Sequence, residues 1–494
     1  MGDANGKRAR RIEGPRLIAL VGPFQSGKTT LFESLLARAG ALQRQCSVRD
    51  GSSIGDASRE ARDHAMSVEP NVGSVDYMGD RFTFVNLPGS IEFAQDARAV
   101  LPLCDAAVVV CEADQRKLPA LQMILRELEE MRLPRFLFLN KIDLATQTLG
   151  DTLALLQPAS RTPLLLRQLP IWQNGIATGF IDLALERGFL YREHAPSAVV
   201  PMPAADAPFE KQARYSMLER LADYDDELME ELIGDIEPPR DQIFDDLAKE
   251  LRDGHVVPLL IGAAERGNGV TRLLKALRHE TPAIAETRAR IGLSDKGAAI
   301  AHVMRTVHTA HGGKLSLARV MRGEFSDGGG VINSRGVEER IAGLSRLLGA
   351  TATKQGKVAE GDTIAFGRLE KTHTGDTLAD AKAGAPELVA KAVAPPRPVH
   401  AFALVVKDRK DETRLALALA KLIDEDPSLT FSQDQESGEM KLFGQGEMHL
   451  RVTLERLASR FGVNVEAKRP MVAYRSEEHT SELQSHSFIS YAVF

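Results

Sequence analysis

The chain has 494 residues, 43% hydrophobic and 26% charged, which excludes disordered and fibrous classes and, at ~150 residues per domain, implies three or four domains. Its 62 basic and 68 acidic side chains leave a net charge of −6, which excludes a general nucleic-acid coat. Three cysteines are too few for a disulfide framework, and none has the CxxC spacing of a structural zinc site. Cys104 and Cys111 lie in or beside apolar sequence and read as buried thiols.

Residues 1–14 carry the cations Lys7, Arg8, Arg10 and Arg11 and read as a disordered N-terminus. The apolar stretch that follows is too short for a signal peptide. Gly6 stands where a myristoylation signal needs Ser or Thr. No apolar run approaches the ~18 residues of a membrane span, so a cytoplasmic chain with no membrane contact is expected.

Apolar runs at 17–21 (LIALV), 82–87 (FTFVNL), 106–111 (AAVVVC), 136–140 (FLFLN) and 256–261 (VVPLLI) predict strands buried on both faces. Between them Phe32, Leu35, Leu36 and Ala39 fall on one helix face, and Leu121, Ile124, Leu125 and Leu128 on another. Strand and helix in alternation predict a mainly parallel α/β sheet. Residues 151–252 interrupt the rhythm and read as an inserted subdomain, with 195–208 a surface connection, 223–231 an exposed helix and Trp172 a packing residue.

From 298 to 392, short alternating segments such as 315–321 and 364–367 are separated by turn signals, among them Asp327-Gly328 and Glu360-Gly361-Asp362. They predict a small β-barrel. Pro395, Pro396 and Pro398 stiffen a linker at 393–399. An α+β domain at 400–474 follows, with one helix marked by Leu415, Leu419 and Leu422 and another by Leu450, Leu454, Leu457 and Phe461.

Gly22-Pro23-Phe24-Gln25-Ser26-Gly27-Lys28-Thr29 fits GxxxxGK[ST] between the first strand and the first helix. Glycines let backbone N–H groups wrap a phosphate at a helix N-terminus, Lys28 neutralises β- and γ-phosphates, and the Thr29 hydroxyl suits Mg²⁺. Asn140-Lys141-Ile142-Asp143 follows the fourth strand as NKxD. The Asp143 carboxylate suits the N1–H and 2-amino donors of guanine. Adenine has neither, and leaving the carboxylate unpaired costs about 1–3 kcal/mol. Lys141 can lie along the base plane, and Asn140 can tie this loop to the phosphate loop.

These motifs, with Met66-Ser67-Val68, Asn86-Leu87-Pro88-Gly89 and Gly262-Ala263-Ala264, stand in the order of a translational GTPase. The wider layout resembles elongation factor G. Thr374-Gly375-Asp376-Thr377-Leu378 resembles a turn of that family's barrel. Glu425-Asp426-Pro427-Ser428, Gly444-Gln445-Gly446-Glu447-Met448-His449-Leu450 and Val472-Ala473-Tyr474 resemble parts of its third domain.

The resemblance, from about residue 16 to 474, implies a P-loop GTPase domain at 15–290, a β-barrel and a ferredoxin-like α+β domain. The implied ligands are GTP or GDP with Mg²⁺, the metal held by Thr29 and Ser67 and, through water, by Asn86. The implied nucleotide contacts are the phosphate loop, residues 86–90, NKID and Gly262-Ala263-Ala264. Glu447 and His449 are implied to be structural.

Four departures from the family bear on chemistry. Asn86 stands for its Asp, keeping an oxygen without the charge. Ser90 stands for the His that orients the attacking water, and a hydroxyl is too short to reach the same place. Losing such a group costs about 10²–10⁴ in rate. Ser67 replaces a Thr mildly, and Gln25 removes an acidic residue from the phosphate loop. In the last loop Ala263 replaces a Ser, with backbone N–H contact to guanine expected to persist. Binding is thus expected to survive, and turnover through Lys28 and Ser90 to be slow.

The family would continue with two further domains, whereas residues 475–494 resemble translated sequencing-adapter DNA, so the chain is expected to be cut after its third domain. The leading expectation is a ribosome-dependent GTPase switch of translocation. The large subunit would stimulate it, contact to ribosomal RNA would accompany it, and the chain would act as a monomer. Two alternatives share the motifs: a GTP-binding regulatory module that scarcely hydrolyses, and a GTPase of ribosome protection or peptide release.

Overall fold

A computed structural model describes residues 14–145, 147–202, 206–309, 313–384, 386–387, 395–406, 409–434 and 438–471, side chains at 409–411 excepted. The expectations for 1–13, for 472–474 and for the tail at 475–494 lie outside these residues. The chain divides into two compact units, Met1–Pro395 and Pro396–Phe494.

The first unit opens with β1 (Arg16–Val21), α1 (Lys28–Ala39), α2 (Arg59–Asp63), β2 (Asn71–Tyr77), β3 (Asp80–Asn86), α3 (Ala94–Val100), β4 (Ala106–Cys111), α4 (Leu118–Glu130), β5 (Arg135–Leu139), α5 (Leu149–Leu156) and β6 (Leu164–Leu166). Strands β3, β1, β4 and β5 pair in parallel, in that order. Successive residues of a strand face opposite sides. Leu17 and Ala19 of β1 therefore join Leu121, Leu125 and Leu128 of α4 in one core, while Ile18 and Leu20 join Leu31, Phe32, Leu35 and Leu36 of α1 in the other. Cys104 and Cys111 are buried thiols, as their apolar surroundings predict.

The inserted segment differs from its sequence reading in four places. β6 joins the main sheet rather than the insertion, which begins with β7 (Gln168–Gln173), β8 (Ile176–Asp182), β9 (Arg187–Arg192) and β10 (Ala195–Val200). These four strands form an antiparallel sheet, so residues 195–200 are an edge strand and not a surface connection. α6 (Ala207–Ala222) follows. The acidic stretch then splits: Asp225 caps α7 (Asp226–Ile233) by accepting the Leu228 N–H, and Leu228 turns inward. Trp172 is 39% exposed beside a shift of register in β7, so it is not a core residue. Its neighbour Ile171 is buried instead. α8 (Arg240–Asp253) returns the chain to β11 (Val257–Ile261), which pairs in parallel with both β5 and β6. α9 (Val270–Glu280) and α10 (Ile284–Ile291) close the domain.

The β-rich domain comprises β12 (Ile300–Thr309), β13 (Gly313–Arg322), β14 (Glu324–Ser326), β15 (Gly330–Asn333), β16 (Glu338–Arg340), β17 (Leu344–Leu348), β18 (Thr351–Gln355), β19 (Lys357–Ala359), β20 (Thr363–Gly367) and β21 (Thr377–Asp380). They pair antiparallel around one core that includes Ala301, Val320, Val331, Ile364, Phe366 and Leu378. β17 also meets β2, so barrel and parallel sheet share one hydrogen-bonded path.

A buried ion pair fastens the two. Arg319 of β13 and Asp105, just before β4, meet at 2.6 Å with neither side chain exposed. Asp105 also accepts the Leu17 N–H at 2.8 Å and the Thr287 hydroxyl at 2.6 Å.

The second unit runs β22 (His400–Val406), α11 (Arg409–Glu425), β23 (Thr430–Gln433), β24 (Met440–Gly444), α12 (Glu447–Phe461) and β25 (Val465–Lys468). The antiparallel order β23-β24-β22-β25 is a ferredoxin-like βαββαβ fold. Leu415, Leu419, Leu422, Leu450 and Leu457 fill its core, with Leu454 and Phe461 at the margin. His449 is structural: Nε2 sits 2.7 Å from Asp426, and Nδ1 accepts the Gln445 N–H at 3.1 Å. Burial acts to raise the Asp426 carboxyl, but hydrogen bonds from His449 and Ser428 outweigh it and hold the group below its ordinary value. Glu447 lies in the first turn of α12, where its charge complements the helix dipole.

Removing one member of a fully buried pair leaves the other uncompensated. Asp105→Ala should therefore lower unfolding free energy by about 3–5 kcal/mol, measured by urea denaturation.

Candidate functional site

The C-terminal ends of β1, β5 and β11 bring three loops together, the edge where open α/β sheets bind ligands. After β1, Gly22 has φ +150 and Gly27 has φ +94, and a Cβ on either would strike the Val110 carbonyl or the Asn140 amide. α1 then begins at Lys28. Asn140 joins all three loops, with Nδ2 donating to Ser26 O at 2.9 Å and Oδ1 accepting the Ala264 N–H at 2.9 Å. Lys141, at φ +61, donates to Gln25 O at 3.1 Å and to Glu112 at 2.8 Å. Asp143 Oδ2 lies 3.2 Å from Arg266 Nε.

A cavity of about 590 Å³ opens over the phosphate loop, lined among others by Phe24, Lys28, Thr29, Ser67, Gly89 and Lys141. Lys28 Nζ donates to Gly22 O and Pro23 O, each at 3.0 Å. Burial pushes its ammonium down to about 8, with Asp56 opposing the shift and Lys117 adding to it.

Beneath Lys28, the Thr29 and Ser67 hydroxyls stand 3.0 Å apart. Ser67 donates to Asp56 at 2.6 Å. Asn86 turns its Nδ2 toward Thr29 at 3.1 Å and Gly55 O at 3.2 Å, and its Oδ1 is buried without a protein hydrogen-bond partner. The oxygen expected to face a metal-bound water therefore points away from Thr29, because the Gly55 carbonyl can only accept.

Asp56 escaped sequence reading because it sits in no compact motif. Glu33 of α1 brings it into place by accepting from Ser53 and from the Gly55 N–H, each at 2.8 Å. Burial raises the Asp56 carboxyl from its ordinary value, opposed by the Ser67 and Thr29 hydroxyls.

Other predicted residues sit differently. Leu87 and Ile142 are core residues, and Ser90 begins the 3₁₀ turn Ile91–Phe93 beyond Gly89 and Pro88. In the last loop the Gly262 N–H donates to Leu139 O, that of Ala263 to Asn268 O and that of Ala264 to Asn140. These three N–H groups hold the loop's own shape, contrary to the expectation that Ala263 offers its N–H to a base. Glu265 is the next residue along and lines the cavity.

The model of the elongation factor Tu GTP-binding domain matches residues 14–283, and that of elongation factor G domain III matches 395–469. An elongation factor G-like protein of Synechocystis sp. is 39% identical over 465 residues, covering 94% of this chain and 68% of that protein. The chain belongs to the elongation factor G family of translational GTPases. Elongation factor G 1 of Geobacter sulfurreducens is 29% identical, with 94% and 69% covered. A crystal structure from Thermus thermophilus superposes with a TM-score of 0.84 at 29% identity, covering 94% of this chain and 68% of that one.

As a family member the chain is a guanine-nucleotide-binding protein. Among the described residues no helix is long and apolar enough to cross a membrane. Nor do three His, Cys, Asp or Glu side chains cluster there as a metal site. A cation at Thr29 would meet the Thr29 and Ser67 hydroxyls, the single carboxylate of Asp56 and phosphate oxygens, the hard donors Mg²⁺ takes.

Lys28 is charged below about pH 8 and neutral above it, and only the charged form attracts phosphate. GDP affinity should therefore be level up to about pH 8 and fall above it, at most about tenfold per pH unit. Titration of a fluorescent GDP analogue across that range checks this, with Lys28→Ala binding weakly and showing no break.

Proposed function

We propose that the chain is a ribosome-dependent GTPase switch of the elongation factor G kind with slow intrinsic hydrolysis. The observation that supports this most is the convergence of Lys28, Thr29, Ser67, Asp56 and Asn86 at one end of the phosphate loop.

In this reading the phosphate loop, residues 22–29, wraps the β-phosphate with its N–H groups, and Lys28 neutralises the β- and γ-oxygens. Mg²⁺ would be held by the Thr29 and Ser67 hydroxyls, with Asp56 adding the carboxylate that Asn86 lacks; Asn86 would reach the ion through water only with its amide turned over from the observed orientation. Bound there, the metal supplies charge neutralisation of the β- and γ-phosphate oxygens. Gly89 offers its N–H to the γ-phosphate. Asp143 reads guanine, Lys141 lies along the base, and Glu265 offers the N–H that Ala263 does not spare. Ser90 orients water poorly, so turnover waits on a partner, the large ribosomal subunit with its RNA. The chain acts as a cytoplasmic monomer, and phosphate loss releases Ser67 and Gly89.

Single-turnover GTP hydrolysis with and without purified ribosomes tests this: slow alone and stimulated by ribosomes is expected. Tight binding with no stimulation supports the regulatory module, which draws on Asn86 and Ser90. A fast intrinsic rate that survives Lys28→Ala refutes the site. Asp143→Asn should weaken GTP by about 1–3 kcal/mol and favour xanthosine triphosphate, and unchanged base preference in a competition assay refutes the guanine-reading role.

A further inference from the structure

Asp143 already has a cationic partner from its own chain. Arg266 Nε lies 3.2 Å from Asp143 Oδ2, the carboxylate 13% exposed and the guanidinium 54%. The carboxylate is thus set inside the fold, and the arginine reaches it from the solvent side.

The loop around this pair is closely specified. The Ile142 N–H donates to Gly262 O at 3.1 Å, and Ala263 and Asn268 exchange both backbone hydrogen bonds. The short turn Ala264–Arg266 ends at Gly267 in the left-handed region, φ +70. The Arg266 backbone is held from the inserted sheet, where His194, in the turn between β9 and β10, donates its N–H to Arg266 O at 2.8 Å. His194 also lines the cavity over the phosphate loop. Tyr191 of β9 has a buried hydroxyl with no hydrogen-bond partner.

We infer that Arg266 competes with guanine for Asp143 and so sets the affinity for guanine nucleotides, with the inserted β9–β10 hairpin holding it in range. The inference rests on the proposal that Asp143 reads the base. The N1–H and 2-amino donors of guanine would take both carboxylate oxygens, so the Arg266 guanidinium beside Oδ2 competes for one of them, and the cost of displacing it is subtracted from binding. The phosphates do not take part in that competition.

The test is equilibrium binding of GDP to the full chain, comparing wild type with Arg266→Ala and Arg266→Lys. Arg266→Ala should bind GDP about two- to fivefold more tightly, the value of a partly exposed ion pair, with Arg266→Lys close to wild type. Inorganic triphosphate, which probes the phosphate loop alone, should bind all three equally. In an Asp143→Asn background, where no charge remains to capture, Arg266→Ala should leave xanthosine diphosphate affinity unchanged. Unchanged or weaker GDP binding by Arg266→Ala overturns the inference, as does equal tightening for triphosphate. If Asp143→Asn moves preference to xanthine nucleotides yet Arg266→Ala has no effect, only this inference falls. If Asp143→Asn keeps its guanine preference, the role of Asp143 falls and the inference with it.

Discussion

The site depends on a single amide. Asn140 donates to the phosphate loop at Ser26 O and accepts from the last loop at the Ala264 N–H, each at 2.9 Å. Both bonds are buried, where an unmade partner is costly and a satisfied one fixes geometry. Gly27 is required beside it because a Cβ there would strike the same amide. Through this contact the ends of β1, β5 and β11 cannot drift apart, and Lys28, Asp143 and the 262–264 loop stay on one edge of the sheet.

A second constraint joins this edge to the barrel. The residues just after Ser67 are gripped by Arg305 of β12, which donates to Pro70 O at 2.7 Å and pairs with Glu69 at 2.7 Å. Gly349 donates to Val72 O at 2.8 Å, extending β2 toward β17. The segment carrying Ser67 therefore runs between the phosphate loop and a barrel that holds its far end. A shift of Ser67 by a bound phosphate would be resisted or transmitted there. The buried Arg319–Asp105 pair adds little net stability for its desolvation cost. Its effect is to fix where the barrel sits.

The insertion matters to the site for a similar reason. It leaves the main sheet after β6, builds its own antiparallel sheet and returns through α8, yet the His194 turn comes back to the loop after β11. An insertion far away in sequence thus supports the backbone of the residue that pairs with Asp143.

The sequence by itself determined the parallel strands, the phosphate loop, NKID and the order of domains. Each is written in local periodicity or in a short motif whose spacing is set by one turn of backbone. Runs such as AAVVVC need no tertiary information to be read as buried strand, and GxxxxGKT between strand and helix fixes its own geometry. Tertiary structure alone decided the rest. Residues 195–200 became a strand because β9 offered an edge, and Trp172 turned outward at a register shift. Asp56 reached Ser67 because Glu33 holds its loop, Asn86 turned its nitrogen inward because the Gly55 carbonyl can only accept, and Arg266 met Asp143 across two loops. These are pairings between residues distant in the chain, and hydrogen-bond and charge complementarity at such distances leaves no periodic trace in a single sequence.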